Sequence, residues 1–405
     1  MAEGAAATKK LLFVAEAVTL AHVARPFALA RSLPADRYRV VFAAHPRYRH
    51  LFPDGSFPWH PLQSISPQRF LGRLAKGRPP YDRQVFGRYL EEEFALLDAE
   101  RPDLVVGDFR LTLAISCRKR GIPYLAIANA YWSPYADPHY PIPEHPSVAL
   151  LGERWAERLF NRIAPLVFAA HTAPFNALCK AHGLPGVGRD LRRYYTEADG
   201  VLYADLPELV PLHDPPAHHH YLGPIAWAPE VAPPPWWERA LAAETLVYVT
   251  PGSSGLAAML PKVVEAAASL PITLVMATAG LDDLPELPDN VFAAPYLPGD
   301  RLAAKAALVV CNGGSPTTYQ ALTAGTPVIG VPTNLDQYLN MKYVQAAGAG
   351  ITLRAGRLTA DGLLAAIQKL LADDQARRRA RRLQQAAARW PAERRFVQLI
   401  ETFER

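Results

Sequence analysis

Apolar and polar positions along the N-terminal half of the chain predict strands and helices in alternation. Helical spacing is found in HVARPFALARSL and in LTLAISCRKR, and Gly121 follows the second segment as a helix stop. Short apolar runs typical of buried strands stand around them: KKLLFVAEA, YRVVFAAH, DLVVGDF and IPYLAIANA. Strands that alternate with helices form a parallel sheet covered on both faces. A doubly wound α/β domain is therefore predicted.

The same alternation returns in the C-terminal half. Strand and helix patterns follow one another in ETLVYVTP, MLPKVVEAAASL, ITLVMATAG and RLAAKAALVVC, the last a helix that runs into a strand. Between the halves, repeated prolines from about 205 to 237 exclude a long regular element and indicate a linker. The predicted organisation is an N-terminal Rossmann-like domain over 1–215, a proline-rich linker over 216–240, a second Rossmann-like domain over 241–390, and a C-terminal helix over 391–405 that packs back on the first domain.

Composition is consistent with a two-domain globular protein. The chain has 405 residues, of which 50% are hydrophobic and 20% charged, and this length exceeds that of one ordinary core. Its 39 prolines favour rigid loops. Three separated cysteines form no CxxC pair, so a reducing cytoplasm is expected. Glu16 interrupts the first apolar run, which predicts a buried strand there and not a signal peptide or a membrane span.

The formal net charge of +5 indicates affinity for anions without naming one. Basic residues concentrate in segments 68–88 and 375–395. Each segment is either a solvated face, which is the commoner case, or a contact with an anionic membrane surface or an acidic substrate. No nucleic-acid-binding motif accompanies the charge, so nucleic acid is disfavoured as a partner. The predicted location is cytoplasmic, with the inner membrane surface as a candidate for peripheral contact.

The segment AALVVCNGGSPTTYQALTAGTPVIGVPTNLDQYLNM, which spans 306–341, carries the strongest chemical pattern. Gly313 and Gly314 follow a strand and allow the backbone to approach a ligand closely. Ser315 is then expected as the helix N-cap and Pro316 as the first helical residue. Free amide groups, the hydroxyls of Thr317 and Thr318 and the helix dipole form a cradle for a diphosphate without a metal ion.

This segment resembles the donor-binding motif of the GT-B nucleotide-sugar glycosyltransferases, the family of the plant and mammalian UDP-glycosyltransferases and the bacterial macrolide glycosyltransferases. The resemblance implies two Rossmann-like domains that face a central cleft. It implies further donor contacts by Asn312, Gln320, Asp336 and Gln337, the last two with the transferred sugar. Upstream, VYVTPGSSG is similar to the family's strand and Gly-Ser turn at Gly252 and Ser253. In APYLPGDRL, Tyr296 and Leu297 are similar to the segment that flanks the nucleobase.

Two positions depart from the family pattern. Asn312 replaces the usual histidine and can still donate a hydrogen bond to a phosphate oxygen. Gln320 replaces the glutamate that accepts from the ribose, and a neutral amide accepts more weakly than a carboxylate. A dTDP-sugar, which has no 2′-hydroxyl, would lose less from this change than a UDP-sugar, and both donors stay open. The expected co-substrate is one of these two, and neither a further cofactor nor a metal ion is expected.

A histidine and an aspartate are the candidate catalytic residues. His22 follows the first strand, and Ala21-His22 with Pro26 resembles the family's N-terminal motif. Asp108 ends another strand and matches the family's acidic partner of that histidine. A carboxylate on one imidazole nitrogen fixes the tautomer and stabilises the imidazolium. The resemblance thus implies an inverting transferase with His22 as general base, and the chain contains no Asp-x-Asp metal motif.

The acceptor is less clearly indicated by the sequence. The loop NAYWSPYADPHYPIP follows a strand and contains Tyr131, Trp132 and Tyr135. These rings either contact an apolar, aromatic or lipid-like acceptor or only pack the loop on its domain. Four histidines of the linker, His213 and His218 to His220, are expected on an exposed connector and not at a metal site.

Other functions share part of this pattern. A GT-B nucleotide-sugar epimerase has the same fold and cradle but needs additional carboxylates around the sugar. A non-catalytic nucleotide-sugar-binding partner of another transferase is compatible with Asn312 and Gln320, whereas His22 and Asp108 favour an enzyme. A hydride-transferring Rossmann enzyme is the weakest alternative, because neither half carries G-x-G-x-x-G after its first strand.

Overall fold

The computed structural model describes residues 8–252, 259–268, 270–280 and 286–403. The N-terminal domain contains a parallel sheet of seven strands in the order β3-β2-β1-β4-β5-β6-β7. Its strands are Lys9–Ala15 (β1), Tyr38–Ala44 (β2), Trp59–Pro61 (β3), Leu104–Asp108 (β4), Tyr124–Ala128 (β5), Gly200–Tyr203 (β6) and His219–Tyr221 (β7). Strands are added to one side of the sheet from β1 to β3 and to the other side from β4 to β7. The topological switch point of this doubly wound sheet therefore lies between β1 and β4.

The described part of this domain contains seven α-helices. They are Leu20–Arg31 (α1), Pro67–Leu74 (α2), Arg83–Glu100 (α3), Leu113–Arg120 (α4), Pro146–Leu151 (α5), Glu153–Ala181 (α6) and Leu191–Tyr195 (α7). Helix α4 ends as predicted, since Gly121 takes the left-handed conformation with φ of 67°. The 29-residue helix α6 was not predicted, because Pro165 and Pro174 within it are residues that usually interrupt a helix.

The C-terminal domain contains a second parallel sheet, with six strands in the order β10-β9-β8-β11-β12-β13. These strands are Leu246–Thr250 (β8), Thr273–Ala277 (β9), Val291–Ala294 (β10), Leu308–Cys311 (β11), Val328–Gly330 (β12) and Gly350–Thr352 (β13). The helices are Trp237–Leu241 (α8), Met259–Ala268 (α9), Gly299–Lys305 (α10), Ser315–Thr323 (α11), Leu335–Ala346 (α12), Ala360–Leu371 (α13), Asp374–Ala387 (α14) and Ala392–Thr402 (α15). The predicted architecture of two doubly wound α/β domains is confirmed.

Helix α15 lies on the N-terminal domain although it ends the chain. Its buried residues Ala392, Phe396 and Ile400 join the apolar cluster beneath the first sheet, and Phe396 meets Phe13 of β1 edge to face at 6.0 Å. Aromatic pairs of this geometry add to the gain from burial alone. The last helix therefore ties the two domains together.

The segment predicted as a linker contains a short edge strand. His219–Tyr221 pairs with β6 in parallel register, so the seventh strand of the first sheet lies within 216–240. Only three residues long, it is compatible with the surrounding prolines because an edge strand leaves one row of backbone amides unpaired. His219 is therefore half-buried and contacts the Tyr203 hydroxyl through Nδ1 at 2.6 Å, so the expectation of histidines on an exposed connector was wrong for this residue.

Candidate active site

His22 and Asp108 are brought together although 86 residues separate them. His22 lies in the first turn of α1, after β1, and Asp108 is the last residue of the neighbouring strand β4. His22 Nδ1 is 2.8 Å from Asp108 Oδ1. A carboxylate only accepts hydrogen bonds, so Nδ1 carries the proton and Nε2 is left with a lone pair. The Asp108 side chain is fully buried, whereas that of His22 is 20% exposed.

Arg25 completes this pair and was not predicted from the sequence. Its Nε and one terminal nitrogen donate to the two oxygens of Asp108, both at 2.8 Å. Burial lowers the pKa of Arg25, but the charge and hydrogen bonds of Asp108 outweigh this and leave that pKa raised. The same terminal nitrogen lies 3.2 Å from His22 Nδ1. Asp108 therefore has a permanent, buried counter-ion in Arg25.

A chain of hydrogen bonds leads from this pair to the second domain. The other terminal nitrogen of Arg25 donates to Asn129 Oδ1 at 2.7 Å, and Asn129 directly follows β5. Asn129 Nδ2 donates to the hydroxyl of Ser315 at 2.9 Å, at the start of α11. The histidine side of the cleft and the predicted donor cradle are thus physically linked.

Four half-buried aromatic rings form a continuous wall beside His22. The His22 imidazole stacks on Phe109 with centroids 4.5 Å apart and planes at 6°. Phe109 stacks in turn on Tyr195 at 5.5 Å, and Tyr195 meets Trp132 at 5.0 Å. Phe70 of α2 contacts the edge of Phe109 at 5.9 Å. Of this wall, only Trp132 was predicted, because its members come from four distant parts of the chain.

Phe109 takes an unusual backbone conformation, with φ of 57°. Residues other than glycine rarely adopt the left-handed region, and where they do so strain is often located at a functional site. Here the turn directs Phe109 beneath the imidazole immediately after Asp108. One local bend therefore sets both the partner and the stacking surface of His22.

A buried ionic cluster supports the same strand ends. Arg110 Nε donates to Glu93 at 2.7 Å, and a terminal nitrogen lies 3.4 Å from Glu16. Burial raises the pKa of Glu16 and of Glu93, although Arg110 lowers both. The Glu16 amide donates to the Asp108 carbonyl at 3.0 Å. Glu16, which breaks the apolar pattern of the first strand, is thus a structural partner of Arg110.

The predicted donor loop adopts the expected sharp turn after β11. Gly313 has φ of +76°, and a Cβ there would lie 2.6 Å from Cγ of Met341, so no other residue fits without movement. The Asn312 side chain accepts from the Gly314 amide at 2.9 Å. Asn340 Nδ2 donates to the Gly313 carbonyl at 2.8 Å and to the Thr318 hydroxyl at 2.9 Å. Thr318 is fully buried, and its hydroxyl stabilises the loop through this hydrogen bond with Asn340.

Helix α11 begins one residue earlier than expected. Gly314, in extended conformation, is the N-cap, and Ser315 is already helical. The reason is that Asn312 binds the Gly314 amide and closes the turn there. Thr317 remains half-buried in the first turn, among amide groups that have no partner within a helix.

Other predicted donor residues lie around this turn. A Cβ on Gly252 would approach the Asn312 amide nitrogen to 3.0 Å, so the two strand ends adjoin. Tyr296 is half-buried and lies 6.3 Å from the ring of His50, while Leu297 is buried in the core. Gln320 Nε2 donates to the Trp227 carbonyl at 2.8 Å. Ser253 lies outside the described residues.

Asp336 faces the acceptor loop directly. Trp132 Nε1 donates to Asp336 Oδ1 at 2.8 Å, which joins the aromatic wall to the start of α12. Gln337 is buried and accepts from the Thr333 amide at 2.8 Å. Of these two predicted sugar contacts, Gln337 is thus bonded within its own domain. Asp336 lies at the junction of the two domains.

The remaining predicted acceptor residues are not part of the wall. Tyr131 is 2% exposed, and burial, followed by the charges of Asp336 and Asp205, raises its pKa well above the ordinary value. Tyr135 packs edge to face on His219 at 5.4 Å. His219 belongs to β7, which lies three strands from β4 in the sheet. Both rings pack the loop on its domain.

A third strand end contributes a buried carboxylate. Asp205, just after β6, accepts from the Ala130 amide at 2.6 Å and from the Tyr319 hydroxyl of α11 at 3.0 Å. Burial raises its pKa to about 6, although these hydrogen bonds and Arg25 lower it. Asp205 is thus a titratable group at the contact between the domains.

Neither a metal site nor a membrane-spanning helix is found in the described part of the chain. No group of three or more His, Cys, Asp or Glu residues within it is arranged to hold a metal ion. Its helices also lack any apolar stretch long enough to cross a bilayer.

Comparison with known proteins places this site in a family. Residues 257–403 match the family described as erythromycin biosynthesis protein CIII-like, C-terminal domain. A PGL/p-HBAD biosynthesis glycosyltransferase of Mycobacterium tuberculosis (strain ATCC 25177 / H37Ra) is 47% identical over 384 residues, which are 95% of this chain and 90% of that protein. A PGL/p-HBAD biosynthesis rhamnosyltransferase of Mycobacterium bovis (strain BCG / Pasteur 1173P2) is 48% identical over 385 residues, covering 95% and 86%.

A solved structure agrees with the fold. The spinosyn rhamnosyltransferase SpnG complexed with thymidine diphosphate has a TM-score of 0.67 and 20% identity, with 98% of this chain and 100% of that chain covered. The two facing Rossmann-like domains and the relatives define a GT-B enzyme that transfers sugars. The chain belongs to the GT-B glycosyltransferase family, with an EryCIII-like C-terminal domain, and is a glycosyltransferase.

Proposed function

We propose that this glycosyltransferase inverts the anomeric centre without a metal ion and uses His22 as general base. The observation that carries the proposal is the contact of His22 Nδ1 with the buried Asp108 at 2.8 Å, which directs the free Nε2 lone pair away from the carboxylate. The acceptor hydroxyl gives its proton to Nε2 while its oxygen forms a bond to the anomeric carbon. The bond from that carbon to the diphosphate oxygen breaks, and the nucleoside diphosphate leaves.

The base needs to be unprotonated before the reaction and stabilised after it. Arg25 neutralises Asp108 in the resting state through its two hydrogen bonds, so Asp108 has a counter-ion before the reaction begins. When the proton arrives, Asp108 accepts from Nδ1–H and stabilises the imidazolium. The wall ring Phe109, stacked at 4.5 Å, keeps the imidazole plane fixed.

The leaving diphosphate is assigned to the turn between β11 and α11. Amide groups at the start of α11 and the Thr317 hydroxyl would hydrogen-bond its oxygens, and the positive end of the helix dipole stabilises the charge that develops there. The Asn312 side chain closes this turn by accepting a hydrogen bond from the Gly314 amide. This stabilisation needs no metal ion, in agreement with the lack of an Asp-x-Asp motif.

A dTDP-linked sugar is the favoured donor. Gln320 donates one amide N–H to the Trp227 carbonyl, and its neutral oxygen accepts more weakly than a carboxylate, which suits a ribose without a 2′-hydroxyl. A relative named rhamnosyltransferase and a structural neighbour solved with thymidine diphosphate support the same choice. dTDP-rhamnose is therefore the first donor to test.

The acceptor is proposed to carry an aromatic ring or an apolar chain next to its hydroxyl. The rings of Phe109, Tyr195 and Trp132 present a flat apolar surface immediately beside His22. Such a surface binds aromatic ligands by offset stacking and excludes water from the reacting hydroxyl. The close contact of His22 with Asp108 also favours transfer over epimerisation, which has no use for a base on the acceptor side.

A ligand panel tests the donor first. Thermal unfolding is followed with UDP, dTDP and GDP and with their sugars, because a ligand that binds only the folded state raises the apparent melting temperature. We expect dTDP and dTDP-rhamnose to give the largest shifts. Stabilisation by GDP or UDP alone would contradict the donor assignment.

The transfer reaction is then tested with dTDP-rhamnose and a series of phenols of increasing apolar length. We expect turnover that persists in EDTA and a product of inverted anomeric configuration by NMR. A product that retains the configuration would contradict the single-displacement mechanism.

A further inference from the structure

An exposed apolar stripe runs along α5 and the first half of α6. Its members are large side chains with exposed fractions of 40% to 83%: Leu150, Leu151, Trp155, Leu159, Ile163 and Leu166. Residues 155, 159, 163 and 166 are three or four positions apart and therefore lie on one face of α6. Within the described chain, all the exposed large hydrophobic side chains belong to this stripe. Contiguous exposure of this kind marks an interaction surface.

Positive charge borders the stripe, and the nearby acids have partners of their own. Arg154, Arg158 and Arg162 are exposed on the same part of α6, and the described residues offer them no ion pair. Arg158 lies over the Trp155 ring, 4.9 Å from its centroid. In contrast, Glu153 pairs with Arg354 of the other domain, and Glu157 pairs with His139. The exposed surface is therefore both apolar and basic.

A second basic element adjoins the far end of α6. Residues 73–84 and the second half of α6 form the two sides of a shallow pocket, lined among others by Asp82, Arg83, Ala170 and Ala173. Asp82 pairs with Arg73 at 3.6 Å. The exposed Lys76 and Arg78 stand in the same loop. The basic segment 68–88 thus extends the charge of the stripe along one side of the domain.

We propose that the stripe, together with this basic loop, docks the enzyme on an anionic lipid surface. Tryptophan and leucine side chains enter the boundary between headgroups and acyl chains, while arginines keep their charge at the headgroups. Charge decides between lipid and a second copy of the chain. In a two-fold dimer the same patch contacts itself, so unpaired arginines of both copies would meet and repel.

The position of the surface has a consequence for the acceptor, and this step rests on the proposed function. Tyr81 lines the pocket beside the basic loop, and its ring is 5.9 Å from Phe70 and 6.3 Å from Phe109. The docking surface therefore adjoins the aromatic wall. An acceptor with an apolar chain would reach His22 from the lipid side.

Co-sedimentation with vesicles of phosphatidylcholine, with and without phosphatidylglycerol, tests the docking surface without donor or acceptor. We expect the wild type to bind only vesicles that contain phosphatidylglycerol, with binding that weakens as salt is added. Trp155→Ser with Leu166→Gln should weaken the partition coefficient at least about tenfold, from the apolar area removed. Arg154→Gln with Arg158→Gln and Arg162→Gln should weaken it on the order of 100-fold.

A matched control removes the same charge elsewhere. Arg378→Gln with Arg382→Gln and Arg394→Gln alters exposed arginines of α14 and α15 and should leave vesicle binding unchanged. The altered side chains of the stripe are 65% and 64% exposed, so melting temperatures should stay at the wild-type value. The proposal is overturned if the wild type ignores phosphatidylglycerol, or if the stripe variants bind as the wild type does. It is also overturned if light scattering shows a dimer that Trp155→Ser dissociates. Vesicle binding requires no chemistry, so its failure would leave the transfer reaction unaffected.

Discussion

Two substitutions of Arg25 test the role of its positive charge and the role of its hydrogen-bond geometry separately. In Arg25→Gln the buried Asp108 loses its permanent counter-ion and keeps its contact with His22 Nδ1 at 2.8 Å. A positive charge on the imidazole would then neutralise Asp108 and no longer meet a neighbouring guanidinium, so activity should be lost at a higher pH on acidification. Arg25→Lys keeps a positive charge at this place but loses the planar two-pronged contact.

The contact distance sets the size of the effect. The nearest guanidinium nitrogen is 3.2 Å from His22 Nδ1, and two unit charges about 4 Å apart interact by about 4 kcal/mol at an effective dielectric constant of about 20. The His22 side chain is 20% exposed, so solvent screens part of this energy. A change of about 1.36 kcal/mol corresponds to one pH unit. We expect the acidic limb of the pH profile to move upward by about one to two units.

The assay is kcat/KM from about pH 5 to about pH 9, a range that covers histidine titration. Arg25→Gln should show the shifted limb, while Arg25→Lys should keep the wild-type limb with a lower plateau. That plateau should fall about 10- to 150-fold if one hydrogen bond to a charged group, worth about 1.5–3 kcal/mol, is lost in the transition state.

Arg31→Gln is the matched control, since Arg31 ends the same helix and is 51% exposed. It should behave as the wild type. A profile of Arg25→Gln that superimposes on that of the wild type would refute the counter-ion role. The counter-ion role would also be refuted if the acidic limb of the Arg25→Lys profile moved as far as that of Arg25→Gln.

Two further predictions concern the cradle and the domain contact. Gly313→Ala should weaken binding of dTDP at least about tenfold, since the left-handed conformation costs about 1–2 kcal/mol and the new Cβ would lie 2.6 Å from Met341. Gly55→Ala is the control: Gly55 has φ of +71°, so the substitution has the same backbone cost, but the new Cβ would meet no atom within 4 Å. An equal loss of dTDP affinity in both variants would contradict the assignment of the cradle. Asp205 has a pKa raised from 3.8 to about 6, so the folded state binds more protons than the unfolded state, and its contribution to stability falls by about 3 kcal/mol as pH rises from about 4 to about 6. Asp205→Asn should flatten that part of the curve of unfolding free energy against pH, and an unchanged slope would contradict the raised pKa.

The donor loop could be predicted because its pattern is local. Asn312 to Asp336 place a strand end, a glycine turn and a helix start within one continuous stretch, and each of these features has a sequence signal. His22 and Asp108 could be predicted as a pair from the family resemblance, and their places at the carboxyl ends of parallel strands are compatible with it because those ends share one edge of the sheet. The exact start of α11 depends on the Asn312 side chain, which sequence patterns do not reveal.

Other features depend on contacts between distant segments. Arg25 is one of several arginines near α1, and the fold is needed to show that it donates to Asp108 and Asn129. The aromatic wall combines Phe70, Phe109 and Tyr195 from separate elements. The exposed stripe became recognisable only once α6 was seen to continue through its two prolines.

The central claim is that His22 removes the acceptor proton, and turnover of His22→Ala tests it most directly. Release of nucleoside diphosphate is measured with dTDP-rhamnose and a phenolic acceptor, beside the dTDP dissociation constant. His60→Ala serves as the matched control, because this imidazole is 40% exposed and pairs with Glu100 away from the dyad. A positioned base contributes about 10²- to 10⁴-fold, so kcat of His22→Ala should fall by that factor while dTDP affinity and the His60→Ala variant stay at wild-type values. Turnover of His22→Ala at the wild-type rate would contradict the mechanism.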